Sequence, residues 1–143
     1  MTDLVFTDTN LLLYAVDRNN PVKQAQATLW LDSLWKSGSG RLSWQVLNEF
    51  YVNAVRKMGA PPDEARKRVE LFSNWGPVDM SLGLAQRAWA WSDESQVSHW
   101  DSLIVAAAER AGCRWLLSED FQDGRKFGGM TVVNPFTRLP GEL

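Results

Sequence analysis

The sequence predicts an α/β fold, a three-layer α/β/α sandwich in which helices cover both faces of a central, mainly parallel sheet. Three observations lead to this prediction. Short apolar runs that suit buried strands alternate with longer stretches of helical spacing. The candidate strands are apolar on both faces, as strands of a covered parallel sheet are. The chain of 143 residues has the size of one ordinary domain, so we expect a single domain over residues 1–143.

The first half of the chain begins with a strand and continues mainly as helices. Leu4 to Thr7 is the first candidate strand, and RLS at 41–43 is a brief second one. Helices are predicted for NLLLYAVD, which follows the first strand, and for residues 21–37, 44–58 and 63–75. Gly38 after the second helix, and Gly59 with two prolines after the third, are typical helix ends.

The second half of the chain is predicted to hold three strands and two helices. The candidate strands are PVDM, RWLLS and MTVVN, and the first helix covers residues 84–91. The second helix begins at SHWD, is apolar nearly all round from Leu103 to Ala108, and ends at Gly112. A helix of this composition should be deeply buried.

Composition and charge exclude several classes of protein. Hydrophobic residues make up 45% and charged residues 22% of the chain, which is typical of a globular domain and not of a fibrous or disordered one. No apolar run approaches the roughly 20 residues of a membrane helix, and the formal charge of −2 gives no overall basic field. The single cysteine, Cys113, and an N-terminus without a signal-peptide pattern predict a cytoplasmic protein with no membrane association.

Acidic residues follow two of the predicted strands at the point where each strand ends. Asp8 comes directly after the first strand, and Glu119 and Asp120 follow RWLLS. Because ligands of parallel α/β sheets bind beyond the carboxyl ends of the strands, we expect these acids to meet in one crevice. Asp101 begins the apolar helix that leads into RWLLS, so we expect it to join them.

Taken one at a time, the acids also have structural roles open to them. Asp8 could cap the first helix, and Asp101 could form a capping box with Ser98. Asp120 and Asp123 could be turn formers in a glycine-containing loop.

Glu49 is predicted by pattern alone to be a solvated helix residue. The apolar residues of its helix, Leu47, Tyr51, Ala54 and Met58, form one stripe, and Glu49 lies opposite that stripe on a helical wheel. The helical wheel therefore does not predict a role for Glu49 in a functional site.

Together the acids indicate a metal site. Three carboxylates in one crevice repel one another unless a cation balances their charge. Carboxylates with Asn10 and Ser118 offer hard oxygen atoms, which suit Mg²⁺ or Mn²⁺ and argue against zinc. His99 is expected to be a surface or packing residue. We find no Ser/His/Asp or Cys/His nucleophile set and no glycine-rich phosphate loop in the sequence.

A phosphodiester is the substrate class that such a site suits. A bound metal neutralises a phosphate oxygen, orients in-line attack and lowers the pKa of a coordinated water. Local basic clusters could meet the remaining negative charge of a nucleic acid. The basic clusters are Arg56 with Lys57, RKR at 66–68, and Arg125 with Lys126. Arg125 and Lys126 adjoin the acidic loop and are the preferred candidates for this contact, which should weaken with salt.

Five motifs, in this order and spacing, resemble the PIN domain family, and more narrowly the VapC-type ribonuclease toxins of bacterial toxin–antitoxin pairs. The motifs are DTNLLLYA at 8–15, NEFY at 48–51, WDSLIVAAA at 100–108, LLSEDFQDGR at 116–125 and VVNPF at 132–136. The family's acidic quartet falls on Asp8, Glu49, Asp101 and Asp120, and Ser118 stands where relatives often carry Thr. The resemblance thus implies that Glu49 points toward the cleft, against the helical wheel.

The resemblance implies a PIN-like sandwich, a Mg²⁺-dependent endoribonuclease, a homodimer, and inhibition by a cognate VapB-type antitoxin. Asp8, Asp101 and Asp120 would hold Mg²⁺, which Mn²⁺ could replace, and Glu49 would position the attacking water or a second ion. Asn10 would be an accessory polar group near the metal.

Several points stay open in the sequence. Ser118 is a second accessory polar group, and the loop offers Asp123 as an alternative to Asp120. A different hypothesis is a non-catalytic Mg²⁺-binding interaction module, either PIN-like or receiver-like, although TVVNPF lacks the Lys that a receiver carries after its last strand. The eight tryptophans are expected mostly in the core, with several as candidates for a protein interface.

Overall fold

The computed structural model describes residues 2–143 and contains one five-stranded sheet covered by helices. Met1, which the predicted domain includes, lies outside the described residues. The strands are β1 (Leu4–Thr7), β2 (Gly40–Arg41), β3 (Cys113–Leu117), β4 (Lys126–Phe127) and β5 (Met130–Val133). Their order is β2-β1-β3-β5-β4, and every pairing is parallel except that of β4 with β5. The predicted mainly parallel sheet is confirmed.

Within residues 2–143, six α-helices connect and cover the strands. They are α1 (Thr9–Tyr14), α2 (Pro21–Ser37), α3 (Trp44–Arg56), α4 (Pro62–Phe72), α5 (Leu82–Ser95) and α6 (His99–Arg110), with 3₁₀ turns at Ser73–Trp75 and Pro140–Glu142. Ser43, Ser81 and Ser98 cap three of these helices by accepting a hydrogen bond from a backbone N–H of the first turn. Gly38 ends α2 in the left-handed conformation, with φ of 69°. No helix within residues 2–143 is long and apolar enough to cross a membrane.

Helix α6 is the most deeply buried helix of the fold. All seven residues from Ser102 to Ala108 are buried. The helix packs along α5 on one side and against β3 on the other. The sequence prediction of a deeply buried helix that is apolar nearly all round is therefore confirmed.

Two elements differ from the prediction. The stretch PVDM is not a strand of the sheet, because only Val78 pairs there, in a single bridge with Ser43. Conversely, the polar loop after β3 contains the two-residue strand β4, which the sequence did not indicate. Two residues are too few to carry an alternating pattern.

The tryptophans divide between core and surface. Trp30, Trp75 and Trp91 are buried, and three others are half-buried. Trp89 and Trp100 are exposed over 50% and 64% of their surface. Most of the tryptophans therefore lie in or against the core, as expected. Core packing does not explain the two exposed indoles.

Replacing Gly40 by alanine should destabilise the fold. A Cβ at this position would lie 2.5 Å from a ring carbon of Trp75, and that ring is wedged against Trp35 and Phe72, with centroids at 4.9 and 5.0 Å. Because the ring has no free direction to move, we expect Gly40→Ala to lower the free energy of unfolding by about 1–3 kcal/mol in urea titrations. Gly129→Ala is the control, since a Cβ there meets no atom within 4 Å. Equal stability of the two variants would contradict this packing argument.

Candidate active site

The residues of the candidate site follow the carboxyl ends of the parallel strands. Asp8 follows β1, Ser118 follows β3, and α3, which carries Glu49, begins soon after β2. Backbone hydrogen bonds extend the sheet to these positions: Asp8 N donates to Leu117 O at 3.0 Å, and Ser118 N donates to Val133 O at 3.1 Å. The sheet therefore fixes the backbone on which the site stands.

Asp8 is the buried centre of the site. The residue is 5% exposed, and its carboxylate accepts two short hydrogen bonds, from Thr9 N to Oδ1 and from Ser118 Oγ to Oδ2, both at 2.7 Å. The first of these bonds caps α1. The capping role and the site role, which the sequence offered as alternatives, thus belong to the same carboxylate.

Glu49 faces the site. Its Oε2 accepts a hydrogen bond from Thr9 Oγ1 at 2.9 Å, and its Oε1 accepts one from Gln45 Nε2 at 3.1 Å. The same Gln45 nitrogen lies 3.5 Å from the backbone oxygen of Trp100. Two donors therefore hold the Glu49 carboxylate in one orientation.

The prediction of a solvated Glu49 from the helical wheel is wrong. The buried residues of α3 are Val46, Leu47, Phe50 and Ala54. The buried face of the helix therefore includes Val46 and Phe50, which the predicted apolar stripe did not contain. Glu49 is three residues after Val46 and therefore adjoins it on the helix surface. Because α1 also packs against α3, Glu49 is half-buried at the contact between the two helices.

Asn10 contacts the segment that follows β3, and its own side-chain oxygen has no hydrogen-bond partner within residues 2–143. Its Nδ2 donates to Ser118 Oγ at 3.3 Å and to Asp120 Oδ2 at 3.2 Å. Its Oδ1 is buried and has no hydrogen-bond partner within residues 2–143. A buried amide oxygen without a partner is unfavourable by about 1–3 kcal/mol, and a hard cation is a natural partner for it.

Asp101 and Asp120 complete the acidic group. Asp101 lies in the first turn of α6, where its backbone N–H donates to Ser98 Oγ at 3.1 Å, half of the predicted capping box. Asp120 follows Ser118 by two residues, and its backbone N–H donates to Ser118 Oγ at 3.1 Å.

The charges of Glu49 and Asp120 affect the pKa values of the other two carboxyls of the site. Burial raises the pKa of Asp8 from 3.8 to about 6; hydrogen bonds from Ser118 and Thr9 lower it, and the charges of Asp120 and Glu49 raise it. Burial also raises the pKa of Asp101, and the same two charges add to the effect. Asp120 and Glu49 therefore act on both Asp8 and Asp101.

The acids are neighbours but are not at metal-ligand spacing. Among residues 2–143, no three His, Cys, Asp or Glu side chains are gathered closely enough to hold an ion. Mutual repulsion keeps ionised carboxylates apart when no cation lies between them. The residues fit a hard cation by donor chemistry, since carboxylates and the free Asn10 Oδ1 supply only oxygen.

Lys23 is a site neighbour that the sequence did not indicate. Its Nζ lies 2.7 Å from Glu119 Oε2, and it stands over the rings of Tyr14 and Phe136 at 4.4 and 4.9 Å from their centroids. The ion pair neutralises Glu119, the residue between Ser118 and Asp120. Glu119 is thereby removed from the acidic group, and the loop that carries Asp120 is tied to α2.

Asp123 does not belong to the site. Its Oδ1 accepts a hydrogen bond from Asn134 N at 2.8 Å, and its Oδ2 accepts one from Arg138 at 3.4 Å. Both contacts hold the segment after β5. Asp120, with its contact to Asn10, is the acid of this loop that faces the site.

The two predicted nucleic-acid contacts differ in their surroundings. The guanidinium of Arg125 donates to the backbone oxygen of Ser95 at the end of α5 and stacks over Phe127 at 4.8 Å. Lys126 is exposed on β4. Arg125 is therefore engaged in holding α5, and Lys126 is the cation of this pair that is open to solvent.

A cavity of about 590 Å³ lies away from the acids. It is bordered by the segment after α1 and by the α3–α4 connection, including Asp17, Arg18, Met58 and Arg68. None of the four acids lines it. The chemistry of the side chains, and not the size of a cavity, thus identifies the candidate site.

The raised pKa of Asp8 should make the metal-free protein less stable as pH rises. Its folded pKa of about 6 exceeds the ordinary 3.8, so the folded carboxyl holds its proton more tightly. Stability from this group is complete below about pH 4 and is lost through about pH 6, a loss on the order of 3 kcal/mol. Urea titrations across this range should show a smaller loss for Asp8→Asn. Parallel pH profiles for the two proteins would contradict the raised pKa.

Comparisons with known proteins agree with the motifs and the fold. A sequence model of the PIN domain matches residues 5–122. A search of curated proteins gives no significant match.

Two solved structures share the fold. One is a toxin–antitoxin complex from Klebsiella pneumoniae, of which one chain is 20% identical, with a TM-score of 0.66 over 92% of this chain and 97% of that one. The other is the toxin VapC20 of Mycobacterium tuberculosis, described as cleaving the sarcin–ricin loop; it is 18% identical, with a TM-score of 0.53 over 78% and 86%. At such identities the similarity concerns the fold alone. The family match over most of the chain shows that it belongs to the PIN domain family.

Proposed function

We propose that this protein is a Mg²⁺-dependent endoribonuclease and the toxin component of a VapC-type toxin–antitoxin pair. The observation that carries the proposal is the group of Asp8, Glu49, Asp101 and Asp120 at one sheet edge, beside the unpartnered oxygen of Asn10. Such a group is stable only with a cation or with protons. The fold it shares with a toxin–antitoxin complex and with an RNA-cleaving toxin supports the same function.

The residues that would hold Mg²⁺ are Asp8, Asp101 and Asp120, with Asn10 Oδ1 available as an additional oxygen. Mn²⁺ prefers similar ligands and should replace Mg²⁺. When bound, the ion would neutralise a phosphate oxygen and lower the pKa of a coordinated water. Ser118 acts through Asp8, because its hydroxyl donates to Oδ2 and holds that carboxylate in place.

Glu49 is suited to orient the water that attacks the phosphate. Thr9 and Gln45 fix both of its oxygen atoms, so its direction toward the site is set before substrate binds. A carboxylate in this position can accept a proton from the attacking water. A second ion near Glu49 would serve the same reaction in a two-metal form.

The toxin–antitoxin complex among the similar structures supports an antitoxin partner, and the homodimer is part of the proposal. An antitoxin of VapB type would inhibit it in the cytoplasm, and two copies of the chain would form a homodimer. Exposed apolar side chains supply surface for such contacts, among them Leu71, Met80 and Leu82. RNA would approach the carboxyl ends of the parallel strands, and Lys126 is an exposed cation on the outer strand β4.

A receiver-like module does not fit this sheet. A receiver of flavodoxin-like topology has the order 2-1-3-4-5. Here β5 lies inside the sheet and β4 is antiparallel at the edge. A PIN domain that only binds partners remains the competing function, and cleavage assays separate it from the proposal.

Asp8→Asn should remove RNA cleavage without unfolding the protein. The amide keeps the size of the side chain but removes the charge on which the metal site depends. We expect the cleavage rate in Mg²⁺ to fall by about 10³-fold or more, which is roughly 4 kcal/mol of transition-state stabilisation. The measurement is single-turnover cleavage of RNA by the purified, antitoxin-free protein.

Asp32→Asn is the matched control for this test. Asp32 is exposed on α2, and the same substitution there should leave cleavage unchanged. Undiminished cleavage by Asp8→Asn would refute the assignment of Asp8. RNA binding by the wild-type protein without Mg²⁺-dependent cleavage would favour the non-catalytic PIN module.

Added Mn²⁺ or Mg²⁺ should stabilise the wild-type protein above about pH 6. An ion that binds only the folded state at about 100 times its Kd raises the free energy of unfolding by about 2.7 kcal/mol. Thermal unfolding with and without the ion measures this effect independently of activity. Asp8→Asn should show little of the gain and Asp32→Asn all of it. Equal gains in these two variants would place the bound ion elsewhere.

A further inference from the structure

Trp100 is the most exposed tryptophan of the chain and lies next to a site acid. Its indole is 64% exposed, and Asp101 is the next residue. Consecutive residues of a helix point about 100° apart, so the indole and the Asp101 carboxylate leave the same first turn of α6 on adjacent sides of the helix. A large aromatic surface is thus open to solvent at the border of the acidic group.

The backbone of Trp100 is part of the hydrogen-bond network around Glu49. Its carbonyl oxygen lies 3.5 Å from Gln45 Nε2, and that nitrogen also donates to Glu49 Oε1 at 3.1 Å. One side chain therefore separates the Trp100 backbone from the Glu49 carboxylate. Trp100 is close to two of the four acids, Asp101 by sequence and Glu49 through Gln45.

The segment that carries Trp100 is fixed before any ligand binds. Ser98 caps α6 with its side chain and also accepts a hydrogen bond from Ser102 Oγ at 2.8 Å. The preceding turn is held by Ser92, which donates to Val97 O at 2.9 Å, and by Arg125, which donates to Ser95 O. A ligand that contacts Trp100 therefore loses little free energy to ordering of this segment.

The charged residues around the site do not favour RNA binding, so an uncharged contact would supply affinity that they do not. Four acids at the sheet edge repel a polyanion, Arg125 is engaged with Ser95, and the whole chain has a formal charge of −2. Proteins that bind single-stranded nucleic acid combine phosphate contacts with aromatic rings on which bases stack. Stacking gives affinity that does not depend on a basic surface.

We propose that the exposed indole of Trp100 is a stacking platform for a nucleobase of single-stranded RNA next to the scissile phosphate. The His99 ring, whose centroid is 5.1 Å from that of Trp100 at an interplanar angle of 69°, borders the platform edge-to-face. This inference rests on the proposed function, and it adds that the substrate is unpaired at the contacted nucleotide. Trp100 is a substrate-binding residue in this account and takes no part in proton transfer.

The test measures binding of RNA with and without bases. The probes are a fluorescein-labelled single-stranded RNA of about ten nucleotides and an abasic oligomer of the same length and charge. Fluorescence anisotropy gives Kd for the Asp8→Asn protein in Mg²⁺, where cleavage should not interfere, and for the same protein with Trp100→Leu or Trp100→Phe.

Loss of one stacked base should weaken RNA binding roughly 5- to 150-fold. We expect this loss for Trp100→Leu, a much smaller one for Trp100→Phe, and none for either variant with the abasic oligomer. Because stacking is not an ion pair, the ratio of the two Kd values should be the same at low and high salt, whereas each Kd rises with salt.

Trp89→Leu is the matched control. Trp89 is also exposed, on α5, and Arg87 two residues earlier bonds to Glu109 at the opposite end of α6 from Asp101. The same loss of indole there should leave RNA binding unchanged. Equal Kd values for Trp100→Leu and its parent would overturn the platform, and so would an equal loss with the abasic oligomer.

Two further measurements separate the possible failures. If Trp100→Leu changes the molar mass in light scattering and leaves RNA binding unchanged, Trp100 is a protein contact and the platform is refuted. If Asp8→Asn cuts RNA at the wild-type rate, the proposed active site fails, whatever Trp100 does. If Asp8→Asn is inactive and Trp100→Leu binds and cuts RNA like wild type, only the platform fails.

Discussion

The Asp8 carboxylate is buried at the end of β1 among other acids, and this unfavourable placement governs the rest of the site. Two donors, Thr9 N and Ser118 Oγ, hold its oxygens at 2.7 Å, but neither donor carries a charge. Without a cation the carboxyl keeps its proton to about pH 6. The fold therefore maintains a group of carboxylates whose repulsion a divalent cation would relieve, at the cost of some stability in the metal-free state.

Three consecutive residues, Asp8, Thr9 and Asn10, connect the parts of this arrangement. Asp8 caps α1 and accepts from Ser118, Thr9 holds Glu49, and Asn10 holds Asp120. The triplet stands where strand β1 passes directly into α1, and its side chains reach two places: Asp8 and Asn10 contact the segment after β3, and Thr9 contacts α3. Apart from the cap, these contacts join residues far apart in the chain, 40 positions for Thr9 with Glu49 and 110 for Asn10 with Asp120. The parallel order of β1 beside β3 is what makes these contacts possible.

The sequence was sufficient for the parallel sheet and for the position of Asp8 and Asp120, because strand ends can be read from apolar runs and topology brings such ends together. The sequence was insufficient where the position of a side chain depends on contacts with distant parts of the chain. Glu49 was misplaced by the helical wheel because α1 covers a face of α3 that the wheel left to solvent, and only the family resemblance corrected this. The ion pair of Lys23 could not be predicted from the sequence, since its partner Glu119 is 96 positions away. The two-residue β4 was too short to be seen.

Anomalous diffraction from crystals of the wild-type protein grown with Mn²⁺ would show whether a cation binds between these acids. We expect an anomalous peak among the oxygen atoms of Asp8, Asp101 and Asp120, with the carboxylates drawn closer together than they are without an ion. We also expect that Asn10 Oδ1, which has no partner within residues 2–143, points toward that peak or toward a water bound to it. A fully occupied Mn²⁺ elsewhere on the protein, with no peak between these acids at the same ion concentration, would contradict the account.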